Sequence, residues 1–124
     1  MERARFESLV DEVFEELPEE LLGYVDNAVF VVEDWPDAET LTSLGIRSRG
    51  GLLGLYQGLP LDERHVDTTG ALPDRIVLYQ KPIEMYARQT GESLDDVVYD
   101  TLVHEIGHHF GLSEAELRAI EDRG

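Results

Sequence analysis

Between Ser93 and Gly111 the chain places Leu94, Val97, Val98, Leu102, Val103, Ile106 and Phe110 so that apolar side chains cover nearly the whole circumference of one helical cylinder. Such a helix cannot rest on a surface. It belongs in the interior, with the rest of the chain wrapped around it. Ser93, with Asp96 three residues on, predicts its amino-terminal cap in the manner of a capping box, and Gly111 predicts its end. Ser113 then caps a further short helix running to about Arg123 by the same signals.

The elements around it follow from periodicity. Phe6, Leu9, Val10, Val13, Phe14 and Leu17 recur at steps of three and four with Glu7, Asp11, Glu12, Glu15 and Glu16 between them, which predicts an amphipathic helix lying on a core. Pro18 breaks it or opens a new turn at Leu21 and Leu22, which Gly23 stops. The β-branched run at residues 27–32 reads as a buried strand, and 37–44 as a short helix, with a loop over 47–51. Two further strands are expected over 52–57 and 75–80, joined by a long connection that contains Gly58, Pro60, Gly70 and Pro73. A helix over 83–88 closes at Gly91. The order predicts an α+β fold, one domain over residues 1–124, with a small sheet and its helices segregated to one side.

Charge and composition exclude several functions. The 124 residues carry 27 acids against 10 lysines and arginines, a net charge of −17. Residues 1–45 hold −11 of it and residues 91–124 hold −7. A surface of that sign repels phosphate backbones, so nucleic acid is not an expected partner. There is no cysteine, which removes disulfides, thiolate metal ligands and thiol nucleophiles and suits a reducing compartment. The longest apolar run is residues 28–32, and the first residues alternate with acids. No membrane span or signal peptide is therefore expected, and a cytoplasmic location is.

The chemistry concentrates on the interior helix, in His104-Glu105-Ile106-Gly107-His108-His109. A step of four residues turns a helix by about 40° and advances it about 6 Å, so His104 and His108 project from one face toward a single ion. Two imidazoles in that relation suit zinc. Glu105, next to the first histidine, sits beside such an ion without having to bind it, and can take a proton from a water held there as a general base. A third donor has to come from further along. Gly111 allows a sharp bend that swings Glu114 back past the histidines, although Glu114 is also placed to complement the dipole in the first turn of the last helix. Glu116, three residues after Ser113, reads as its capping partner. His109 points about 100° from His108 and reads as packing or as an outer hydrogen-bonding partner. Asp100, one turn before His104, could orient that ring or simply be solvated, and His65 in the long connection reads as exposed.

The segment His104-Glu105-Ile106-Gly107-His108-His109-Phe110-Gly111-Leu112-Ser113-Glu114 resembles the extended H-E-x-x-H-x-x-G-x-x-D signature of zincin metallopeptidases. Together with residues 52–58 and 72–76 it makes most of the chain similar to the mini-zincin family of small bacterial metallopeptidase-like proteins. The resemblance implies a minimal zincin-like fold, with a small mixed sheet packed on the active-site helix and the amino-terminal helix. It implies Zn2+ as cofactor, His104 and His108 as metal ligands and Glu105 as the catalytic base, and it puts Glu114 at the third ligand position, where the signature usually has aspartate. It implies a peptide or protein substrate, hydrolysed by a zinc-activated water, and an extended substrate paired to one of the strands 52–57 or 75–80.

The chain departs from a working zincin in two respects. Met1 and Met85 are the only methionines, so no methionine turn follows the site, and no tyrosine or histidine follows His109 to stabilise an oxyanion. The missing oxyanion donor and the glutamate at position 114 keep a second expectation open: a metal-binding or peptide-binding module on the same scaffold with weak or absent turnover. Other classes fit less well. A metal-dependent ribonuclease with three spaced histidines would need histidine at position 114, and a peptide deformylase would need a cysteine ligand.

Overall fold

The computed structural model describes residues 1–58 and 74–123. His65 and the rest of segment 59–73 therefore lie outside the described residues. Within them the order is α1 (Arg3–Glu15), α2 (Glu19–Leu22), a 3-10 turn (Gly23–Val25), β1 (Ala28–Glu33), α3 (Ala38–Leu44), a second 3-10 turn (Arg49–Gly51), β2 (Gly54–Gln57), β3 (Asp74–Tyr79), α4 (Gln80–Thr90), α5 (Leu94–His109) and α6 (Glu114–Arg123). The fold is α+β.

The three strands form one mixed sheet in the order β1-β3-β2, with β1 parallel and β2 antiparallel to β3. Strand β3 is thus paired on both sides, and among the described residues β2 is paired on one side. Alternation along β3 divides its side chains between two faces. Ile76 and Leu78 join Phe6, Val10 and Val13 of α1 and Val98, Leu102 and Ile106 of α5 in the main core. Several of these, including Phe6, Leu102 and Ile106, have no solvent exposure. Burial of each such side chain stabilises the fold by about 1.5–3 kcal/mol, so the apolar cylinder of α5 organises the core.

Val77 and Tyr79 face the other way, against Leu52, Val31, Leu41 and Ile46. The helices are therefore not all on one side of the sheet: α3 supplies Leu41 to the second face. That face is shallower, and β1, paired on one side among the described residues, is less buried than its apolar run predicted. Val29 is 44% exposed.

Local signals set the helix ends. Ser93 Oγ accepts from the Asp96 N–H at 3.1 Å and opens α5. Gly111 follows its last turn at φ +73°, a conformation that glycine adopts at no steric cost. Ser113 and Glu116 form a reciprocal capping box, Ser113 Oγ accepting from the Glu116 N–H and Glu116 Oε1 from the Ser113 N–H, both at 3.1 Å. Gly23 ends α2 as expected and also opens a 3-10 turn. Other boundaries differ from expectation: residues 49–51 form another 3-10 turn, β2 begins only at Gly54, and α4 begins at Gln80, so that β3 stops at Tyr79. Pro82 is accommodated there because first-turn N–H groups have no partner within the helix.

Candidate functional site

His104 and His108 both lie exposed on one face near the end of α5, their ring centroids 6.2 Å apart. His104 is oriented by its own helix: Nδ1 lies 2.8 Å from the carbonyl oxygen of Asp100. A carbonyl only accepts, so Nδ1 carries the proton and Nε2 faces outward. The carboxylate of Asp100 is not what orients the ring, contrary to one expectation for this residue. Its pKa is raised, by partial burial first and by Glu92 next.

Beyond the Gly111 bend, Glu114 Oε1 lies 3.4 Å from His104 Nε2. Two donors bound to one tetrahedral zinc at ordinary Zn–N and Zn–O lengths stand about 3.3 Å apart. A neutral Nε2 and a carboxylate oxygen are both acceptors, so this approach calls for a cation or a proton between them. Glu114 also occupies the first turn of α6, so both expectations for it describe the same placement. The donor set therefore fits zinc, with one adjustment. Two imidazoles sharing a tetrahedral ion have centroids about 5 Å apart, so His108 must swing inward from its observed position. Correspondingly, among the described residues no group of three or more histidines, aspartates or glutamates is gathered at metal-holding distance.

Glu105 turns away from this pair toward the sheet. Its carboxylate is half-buried and lies beside the main-chain N–H of Tyr56 on β2. Burial pushes its pKa up, against the opposing pull of the Tyr56 N–H and of His108 and His104. His109, expected to pack, stacks on the Tyr56 ring at a centroid separation of 3.8 Å. Of the two strands offered for substrate pairing, 75–80 corresponds to β3, which is paired on both sides, whereas among the described residues β2 is paired on one side.

Tyr56 and Asp74 lie beside these residues and were not singled out from the sequence. Tyr56 donates its phenol proton to Asp74 Oδ2 at 2.7 Å. Alternation along β2 puts Tyr56 and Gly54 on one face, but a main-chain donor leaves no trace in side-chain identity, so no sequence signal predicted its approach to Glu105.

An interior helix bearing two histidines one turn apart, laid under a mixed sheet whose antiparallel strand lies beside the intervening glutamate, is the frame of a zincin-class protein. The family model described as zincin-like metallopeptidase matches residues 25–123, and the chain belongs to that family. Among solved structures it is similar to a conserved hypothetical protein from Thermus thermophilus, at 23% identity and a TM-score of 0.52 over 89% of this chain and 94% of that one, a likeness of fold. No curated protein matches it. No helix among the described residues is long and apolar enough to cross a membrane.

Proposed function

We propose that the protein is a zinc-dependent peptidase in which His104, His108 and Glu114 hold the ion and Glu105 is the general base. The observation that carries this reading is the His104–Glu114 approach at 3.4 Å, made by a ring whose other nitrogen is already tied to the Asp100 carbonyl. That tie fixes the tautomer and aims Nε2 at the site, the usual outer support of a metal-ligating histidine.

When bound, zinc supplies Lewis acidity, lowering the pKa of a water to about 7 and polarising a substrate carbonyl. The chain supplies the proton handling and the alignment. Glu105 accepts a proton at its carboxylate and returns it to the departing amine, and its raised pKa brings it nearer to neutral working pH. Among the described residues strand β2 is an edge of the sheet beside Glu105, along which an extended peptide can be aligned by main-chain hydrogen bonds.

The test is digestion of a broad peptide library by the zinc-loaded protein and by Glu105→Gln, beside a calorimetric zinc titration of wild type and His108→Ala. The reading expects site-dependent uptake in the titration and cleavage that falls by about 10²-fold or more in Glu105→Gln. Zinc uptake without cleavage would instead favour a metal-dependent binding module. Glutamate at position 114, where the signature usually has aspartate, favours that second reading, since its extra methylene changes the reach of the third ligand.

A further inference from the structure

The helix that carries the candidate ligands carries a second pair at the same spacing. Glu105 and His109 are four residues apart and share a face, one position round from His104 and His108. Both meet β2 at Tyr56. The His109 ring stacks on the Tyr56 ring with centroids 3.8 Å apart and planes 19° apart, while Phe110 meets the same ring edge-on at 5.7 Å. The far end of Tyr56 is tied to Asp74. The strand leaves with almost no clearance over the same histidine, since a Cβ on Gly58 would lie 2.7 Å from His109 Cε1.

The register fixes the direction in which the Tyr56 N–H points. The Tyr79 N–H donates to the Leu53 carbonyl at 2.9 Å. Counting on in twos, Leu55 opposite Val77 and Gln57 opposite Arg75 are the hydrogen-bonded positions of the β2–β3 ladder. The main-chain groups of Gly54 and Tyr56 therefore point away from β3, the side on which the Tyr56 N–H lies beside the Glu105 carboxylate.

The geometry points to His109 as a positioning residue: by stacking on Tyr56 it holds β2 at the height where the Tyr56 N–H meets the Glu105 carboxylate, and so orients the base. This role in catalysis rests on reading Glu105 as the base. The physical clamp does not depend on it.

Amide hydrogen exchange on the metal-free protein reads the clamp directly. Tyr56 is expected to be protected in wild type and to lose that protection in Glu105→Ala, with Leu55 and Gln57 unchanged. His109→Ala and His109→Leu, the latter filling the space without a flat ring, should each speed Tyr56 exchange tenfold or more, again sparing Leu55 and Gln57. His109→Phe should restore it. Unchanged Tyr56 protection in the alanine and leucine variants would overturn the inference, as would failure of phenylalanine to rescue. Loss of Leu55 and Gln57 protection together with Tyr56 would also overturn it, since the stack would then only hold the sheet together. A wild-type chain that cleaves no peptide yet shows the expected exchange pattern removes the peptidase reading and keeps the clamp. Metal-dependent cleavage with none of these exchange effects removes the clamp alone.

Discussion

Gly107 and Leu117 meet with no room for a methyl group between them: a Cβ on Gly107 would lie 2.7 Å from Leu117 Cδ1 and 3.0 Å from Cδ2. This contact seats α6 on α5, and α6 carries Glu114 toward His104. Gly107→Ala is expected to cost about 1–3 kcal/mol through overpacking, because Leu117 is itself buried. Thermal or urea unfolding measures the cost, and a zinc titration should show weakened uptake as Glu114 shifts. In a double-mutant cycle with Leu117→Ala the two losses should be less than additive, since the second change makes the space that the first requires. Full additivity would mean that the contact is slack.

Glu114 is more than half exposed and has few packing duties. Glu114→Gln should therefore leave the melting temperature of the metal-free protein nearly unchanged while weakening zinc binding by at least about tenfold, the scale of effect seen even for outer partners of a ligand. Equal zinc affinity in the two proteins would remove Glu114 from the proposed ligand set.

The half-buried carboxylate of Glu105 is a charge placed against the interest of stability. Its pKa is raised in the fold, so the folded state binds the proton more tightly than the unfolded chain does. The charged form therefore destabilises the metal-free protein fully above that raised value, and the effect fades as pH falls through it to the usual carboxylate range. Glu105→Gln should melt at a higher temperature than wild type at neutral pH, with the gap closing in acid. Melting curves across pH check this, and a variant that is more stable yet inactive separates loss of the base from loss of the fold.

Acid should act in the opposite sense at α3. Asp37 caps that helix, its side chain accepting from the Thr40 N–H at 2.7 Å, and this bond holds its pKa below the ordinary value. The stabilisation is present above the unfolded carboxylate value and is lost as pH falls through the lowered one. Exchange at the Thr40 amide should rise over that window in wild type, and Asp37→Asn should flatten the dependence.

Ser93→Ala removes the side-chain acceptor that starts α5 and should cost about 1 kcal/mol, read as a lower melting temperature. Because α5 holds the core together as well as the candidate site, the loss should appear in global unfolding and not only as local fraying.

The interior helix and the placement of its histidines were legible because they are local. The caps at Ser93 and Ser113, the bend at Gly111 and the one-turn spacing of His104 and His108 each depend on residues within a few positions of one another, where helix geometry translates sequence spacing directly into space. Strand existence was legible too, from β-branched runs. Strand environment was not, since the apolar run of β1 reads the same at an edge as in the middle of a sheet. The group that orients His104 was legible only as a residue: Asp100 was one candidate, and it is its carbonyl, a group every residue possesses, that makes the bond.

By itself, then, the amino-acid order determined one helix apolar nearly all round, the pair of imidazoles it projects and the acid lying between them. Only tertiary structure decided that β3 lies between β1 and β2, that Glu114 comes back to His104, and that Glu105 meets the Tyr56 main chain. These outcomes join parts of the chain that need not be close in sequence, and the Tyr56 approach uses a backbone group every non-proline residue possesses. No pattern of side chains encodes such a pairing, because strand order and register follow from how the whole core closes around α5.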